Sequence, residues 1–105
     1  MTPLETTHKE AKHKIKSLWS ALGMDVKTMT PEEHDLALAY VSHLPHVVAY
    51  GLMGSVPESA LPFASTGLAD STRIAGSTPE LWSEICLSNN KNLVKAIDDV
   101  VRELS

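Results

Sequence analysis

The chain has 105 residues, 43% of them apolar, with nine Lys and Arg against thirteen Asp and Glu and a net charge of −4. That length supports one domain with a modest core, in which roughly two-thirds of the unfolded surface can be buried. The mild acidity excludes the basic footprint of a nucleic-acid binder, and the single cysteine, Cys86, excludes an internal disulfide and fits a reducing compartment.

Residues from about Thr6 to Leu22 read as an amphipathic helix, with Ala11, Ile15, Leu18, Trp19 and Leu22 at helical spacing. Lys9, Lys12, Lys14 and Lys16 read as its solvated face, because no aromatics interleave as a base-stacking surface requires. Gly23 is suited to ending the helix in left-handed geometry. Met24 to Met29 is a connector. No apolar signal core follows a basic start, and no stretch reads as long enough to span a bilayer, so a soluble cytoplasmic protein is expected.

Thr30-Pro31-Glu32-Glu33 is a strong start signal. Thr30 can cap, Pro31 suits the first helical position, and Glu33 can reach back as a capping box. The helix is expected to run past Pro45 to about Met53, apolar on nearly every side from Leu36. Inside it stands Ser42-His43-Leu44-Pro45-His46. Proline lacks the N–H that would meet the Val41 carbonyl, so a kink is expected there. His43 and His46, three residues apart, share a face.

Ser55 to Gly67, with Pro57 and Pro62, suggests a short helix around Glu58 to Ser65 that ends at Gly67. Asp70 is placed to cap a helical turn running through Arg73 to Ala75. Thr78-Pro79-Glu80 is a second start signal, with Thr78 as cap and Leu81, Trp82, Ile85 and Cys86 on one face. Cys86 reads as a small core residue with no His or cation cluster to activate it. Asn89-Asn90 marks a break. Leu93, Ala96, Ile97, Val100, Val101 and Leu104 then form a last amphipathic helix. The fold class is all-α, a single helical domain over residues 1–105 with a long kinked central helix. No Gly-x-Gly-x-x-Gly turn follows a strand, so the usual dinucleotide-binding device is absent from these residues.

Three chemistries merit weighing. The histidines are His8, His13, His34, His43 and His46. Only His43 and His46 converge, which is too few for a zinc site. Ser42 and His46 have the i,i+4 spacing of a nucleophile and base, but no third orienting group follows, and a Ser hydroxyl bonded to a helix carbonyl is the simpler reading. Arg73 could hold a carboxylate through two parallel hydrogen bonds, or it could merely pair with Asp70 at i,i+3.

His34-Asp35, then Ser42-His43-Leu44-Pro45-His46-Val47-Val48-Ala49-Tyr50, resembles the C-terminal helical domain of prephenate dehydrogenases. Asp70-Ser71-Thr72-Arg73-Ile74-Ala75, Pro79-Glu80-Leu81-Trp82, Ile85 and Asn89 follow in that family's order. The resemblance runs from about Thr6 to the C-terminus. It implies an intertwined homodimer and a substrate pocket closed by the helical domain. A separate NAD-binding Rossmann domain carries the catalytic histidine, and none of that family's catalytic or cofactor-binding residues falls in this chain. It also implies oxidative decarboxylation of prephenate to 4-hydroxyphenylpyruvate, with arogenate as the substrate of related members.

By position, Arg73 resembles the arginine that holds a substrate carboxylate. His46 resembles the pocket histidine, with His43 supporting it. Asp70 resembles a member of the ionic network at the pocket mouth, and Trp82 the tryptophan that approaches from the partner subunit. Two departures stand out. Ala69 replaces a basic residue, which leaves the mouth network incomplete, and Thr78 replaces an Asp as helix cap. Two other readings are a free-standing helical interaction module and a module that binds an aromatic acid at the old pocket. On every reading the chain alone is expected to hold no NAD and no metal and to be inactive.

Overall fold

Thr30 opens the helix that dominates the chain. In the computed structural model, which describes residues 1–105, its hydroxyl accepts a hydrogen bond from Glu33 N–H at 3.1 Å. The Glu33 carboxylate accepts one from Thr30 N–H at 2.8 Å. The expected capping box is therefore formed, and two helix-end donors are satisfied by one another's side chains. From Pro31 the backbone stays helical to Ser55, as α2 (Pro31–Leu38), a π turn (Ala39–His43) and α3 (Leu44–Ser55). This corrects one sequence expectation. The 25-residue run is long and apolar enough, by length and composition, to cross a bilayer.

The helix changes type just before Pro45. The Leu44 N–H bonds to the Ala39 carbonyl, five residues back, so the coil widens just before the proline. Pro45 then stands second in α3, directly after the widened turn, and is the one position there with no N–H to donate.

The other elements are all helical: α1 (Lys9–Ala21), a 3-10 turn (Glu58–Phe63), α4 (Thr66–Thr72), a second 3-10 turn (Arg73–Gly76), α5 (Pro79–Ser88) and α6 (Asn90–Leu104). Three local expectations change. Gly67 does not end a helix but lies in the first turn of α4. Asp70 lies inside α4, whose cap position belongs to Ser65, so Asp70 caps nothing. Thr78 holds the cap position of α5 with Pro79 beside it, but its hydroxyl makes no capping bond. Only its carbonyl serves, accepting from Trp82 N–H at 3.2 Å.

The chain divides into two compact units, Met1–Ala37 and Leu38–Ser105. In the first, Gly23 ends α1 at φ +83°. Its N–H bonds to Ser20 O at 3.0 Å, and Met24 N–H bonds to Trp19 O at 3.0 Å. That pair of bonds is the Schellman arrangement, which needs the left-handed residue that glycine supplies. In the second unit, α6 packs on the π turn and α3, α4 and the second 3-10 turn pack on α3, and α5 packs on α6.

The apolar core consists of Ala39, Ala49, Leu93 and Ala96. Three of these are alanines, which allow close approach but bury little area. A polar clamp reinforces the contact of α6 with the π turn. Tyr40 Oη donates to Asp99 Oδ2 at 2.5 Å, and Lys95 Nζ donates to both, at 2.8 and 2.9 Å. Arg102 bonds to the other oxygen of Asp99.

Candidate functional site

The Ser42-to-His46 stretch delivers its two imidazoles to different supports. His46 turns back along α3, with its Nδ1 3.0 Å from the Ser42 carbonyl oxygen. Ser42 and His46 therefore meet through backbone rather than hydroxyl, and no nucleophile–base pair forms. His43 is buried, 8% exposed, at the end of the π turn. Its Nδ1 lies 3.2 Å from the side-chain nitrogen of Asn89, the residue between α5 and α6.

Trp82 brings the two histidines into one cluster. Its ring stacks on His46, with centroids 3.3 Å apart and planes 18° apart. It meets His43 edge-on at 6.2 Å and 75°. These are contacts within one chain. Trp82 lies on α5, three residues after Pro79, which fixes the start of that helix and so the angle at which the indole is presented.

Beside the stack is a cleft of ≈ 230 Å³, lined by Tyr50, Pro79, Trp82, Ser83 and Cys86. Tyr50 is held in place by its hydroxyl, which donates to Ser77 O at 2.8 Å. Burial pushes the Cys86 thiol up from its ordinary pKa, which favours the neutral, unreactive form. Cys86 is partly exposed on the cleft wall rather than sealed in a core. Of the five residues expected at a substrate pocket, only Trp82 lines this cleft.

Arg73 and Asp70 are both exposed. They do not pair with each other, since the ion pairs formed involve Asp25, Asp35 and Asp99 instead. That removes the surface-pair reading of Arg73. Arg73 opens the 3-10 turn that packs on α3, the helix that also carries His46. The guanidinium is therefore uncommitted on the element adjoining the histidine helix. No three His, Cys, Asp or Glu side chains converge as metal ligands.

Sequence reasoning missed Asn89 as a partner of the site. Asn89-Asn90 reads along the chain as a break, and the helices do change over there. The side chain left at the junction is 8% exposed and reaches a histidine 46 positions away. The available signals were its place in the family's ordered residues, which assigned it no role, and an asparagine between two helices with apolar faces, which calls for a buried partner.

Comparison with known proteins gives one answer. The family profile described as prephenate dehydrogenase, dimerization domain, matches residues 30–105. A prephenate dehydrogenase of Bacillus subtilis is 36% identical over 99% of this chain and 30% of its own length. A cyclohexadienyl dehydrogenase of Zymomonas mobilis is also 36% identical, over 99% of this chain and 38% of its own length.

Among solved structures, prephenate dehydrogenase from A. aeolicus, in complex with hydroxyphenyl propionate and NAD+, superposes with a TM-score of 0.86 and 36% identity. It covers 98% of this chain and 38% of that one. Synechocystis arogenate dehydrogenase superposes with a TM-score of 0.81 and 32% identity, over 98% of this chain and 40% of that one. The chain thus spans well under half the length of each of these relatives. By profile, sequence and fold, it belongs to the prephenate dehydrogenase dimerization-domain family.

Proposed function

We propose that this chain provides the dimerisation surface and one wall of the substrate pocket of a cytoplasmic prephenate dehydrogenase. The whole reaction is NAD-dependent oxidative decarboxylation of prephenate to 4-hydroxyphenylpyruvate. Nucleotide binding and hydride transfer belong to the part of the relatives' length that these residues do not span. The chain alone is inactive on this reading. The observation that carries dimerisation is the smallness of the core. Four apolar residues are buried, three of them alanine, while large apolar side chains such as Leu36, Val41, Val94 and Val101 stay 46–73% exposed. A second copy covering such surface gains about 25 cal/mol per Å² of apolar area removed from water.

On the substrate side, Arg73 supplies the bidentate grip on a carboxylate, and an exposed, unpaired guanidinium is what that role requires. His46 and Trp82 supply a flat polar and aromatic wall. His43 supports it from below, and Asp70 stands near Arg73 on α4 as part of the pocket mouth. Titrating the isotope-labelled chain with prephenate or 4-hydroxyphenylpyruvate tests this. Chemical-shift changes centred on Arg73, His46 and Trp82, and lost in Arg73→Lys, support the pocket. Changes that are absent or scattered remove it and leave dimerisation alone. Titration with NAD should give no saturable heat, and micromolar affinity would overturn the assignment of nucleotide binding elsewhere.

A further inference from the structure

Asn89 carries information that the pocket reading does not use. Its amide is oriented from both ends. Asn92 Nδ2 donates to Asn89 Oδ1 at 2.9 Å, so Oδ1 faces along α6. That leaves the Asn89 NH2 group facing His43 Nδ1, 3.2 Å away. An NH2 group can only donate, so Nδ1 of His43 must accept, and the hydrogen of the neutral ring lies on Nε2. His46 is in the opposite situation. Its Nδ1 faces a backbone carbonyl, Ser42 O, at 3.0 Å. A carbonyl can only accept, so Nδ1 of His46 carries the hydrogen and Nε2 carries the lone pair.

We propose that Asn89 is a positioning residue that fixes His43 as its Nε2–H tautomer, while the Ser42 carbonyl fixes His46 as its Nδ1–H tautomer, so that two imidazoles one turn apart are held in opposite protonation patterns against the same indole. The Trp82 ring locks both orientations, stacked on one ring and edge-on to the other. Asn89 can perform this role because it sits between two helices. Its N–H is spent on Ile85 O and its carbonyl on Leu93 N–H, at 3.2 and 3.1 Å, and its side chain makes no cap bond to the backbone of α6. The consequence is chemical. The Nε2 edge of neutral His46 offers a lone pair. A hydroxyl suits His46 directly, whereas a carboxylate can bond to His46 Nε2 only after that nitrogen takes up a proton. The tautomer assignment concerns the pocket proposed above but does not depend on that pocket binding anything.

The experiment is long-range 1H–15N correlation spectroscopy on the full chain labelled at histidine, above the pH at which the rings are neutral. The rings are assigned by the signals lost in His43→Gln and His46→Gln. His43 should show a bare Nδ1 and a protonated Nε2, and His46 the reverse. In Asn89→Asp the new carboxylate can only accept, so the His43 pattern should invert while that of His46 stays as it was. A merely structural Asn89 would not produce an inversion confined to one ring. A protonated Nδ1 on His43 in the unmodified chain overturns the proposal without any variant having to fold, as does an Asn89→Asp spectrum with the pattern unchanged. Adding 4-hydroxyphenylpyruvate to the same sample separates the two ideas. Opposite tautomers with no ligand shift would retire the pocket and leave the positioning role intact.

Discussion

His46 lies flat on Trp82, with ring centroids 3.3 Å apart and planes 18° from parallel. This contact ties α3 to α5 at the point where the main helix has just passed through its π turn. Trp82 also lines the cleft beside Tyr50. The indole contributes packing area and a flat face, and the imidazole, held by Ser42 O, contributes a fixed edge.

Removing the indole should therefore weaken the fold as well as the site. Trp82 is only partly buried, so Trp82→Ala should cost about 2 kcal/mol, below the range for fully buried aromatics. Trp82→Phe keeps a ring and should cost about 1 kcal/mol. Urea unfolding of the three proteins measures both. A loss under about 0.5 kcal/mol in the alanine variant would mean that the stack is not a structural support.

Asp99 gives the fold an acid-sensitive element. Its carboxyl is lowered from 3.8 to about 2, first by the Tyr40 hydroxyl and then by the hydrogen bond from Lys95. The folded state thus holds the carboxylate more tightly than the unfolded chain does. The resulting stability is fully present above the unfolded value and is lost as pH falls through about 2. Stability measured from pH 5 downward should therefore fall with a slope that Asp99→Asn removes. Tyr40→Phe should shorten the same limb, since the first cause of the shift is gone. Acid limbs that are identical in all three proteins would show that the clamp has no thermodynamic weight.

The capping box at the start of α2 makes a cleaner local prediction. Thr30→Ala deletes the oxygen that accepts from Glu33 N–H and should cost about 1 kcal/mol. Thr30→Ser keeps that oxygen and should cost only a few tenths of a kcal/mol. Equal losses in the two would place the effect in the methyl group rather than the cap. Denaturant titration followed by circular dichroism reads the difference.

What the sequence made legible was chemistry confined to one turn of chain. The Thr30 box, the Gly23 ending, Pro79 at the start of α5 and the change of helix at Asn89 each depend on neighbours within five residues, and each appears where the pattern placed it. The π turn was not legible. A proline inside an apolar helix signals a lost hydrogen bond, but not the i→i−5 turn that precedes it here. That turn goes with tertiary contacts, Tyr40 to Asp99 and His43 to Asn89, between residues 59 and 46 positions apart. The site was half legible for the same reason. The spacing put His43 and His46 together, and the family resemblance named Trp82, but no spacing rule says that the indole stacks on its own chain's imidazole. Asp70 misled because an acidic residue before a short turn looks like a cap, whereas the helix had already begun at Thr66.

The last prediction concerns which apolar face a second copy covers. Apolar side chains stand exposed on the central helix, with Val41, Val48 and Leu52 at 37–73%, and on two further faces, one on α1, with Ile15, Leu18, Trp19 and Leu22 at 46–63%, and one on α6, with Val94, Val101 and Leu104 at 54–83%. The family match begins at residue 30, so it includes α6 and leaves α1 outside. Val94 and Val101 are seven residues apart and Leu104 three further on, which sets them along one stripe of the helix. If that stripe is the interface, a charge placed at its centre must be buried unpaired or must keep the copies apart, and separation is the less costly outcome. Val101→Glu should thus convert a dimer to a monomer in sedimentation at micromolar concentration. Lys91→Glu, a charge change at an exposed polar position on the same helix, should leave the dimer intact. Ile15→Glu should also leave it intact, because α1 lies outside the residues that the dimerization-domain profile matches. A dimer that survives Val101→Glu but dissociates in Ile15→Glu would move the interface to the first helix, and a wild-type chain that sediments as a monomer would remove it altogether.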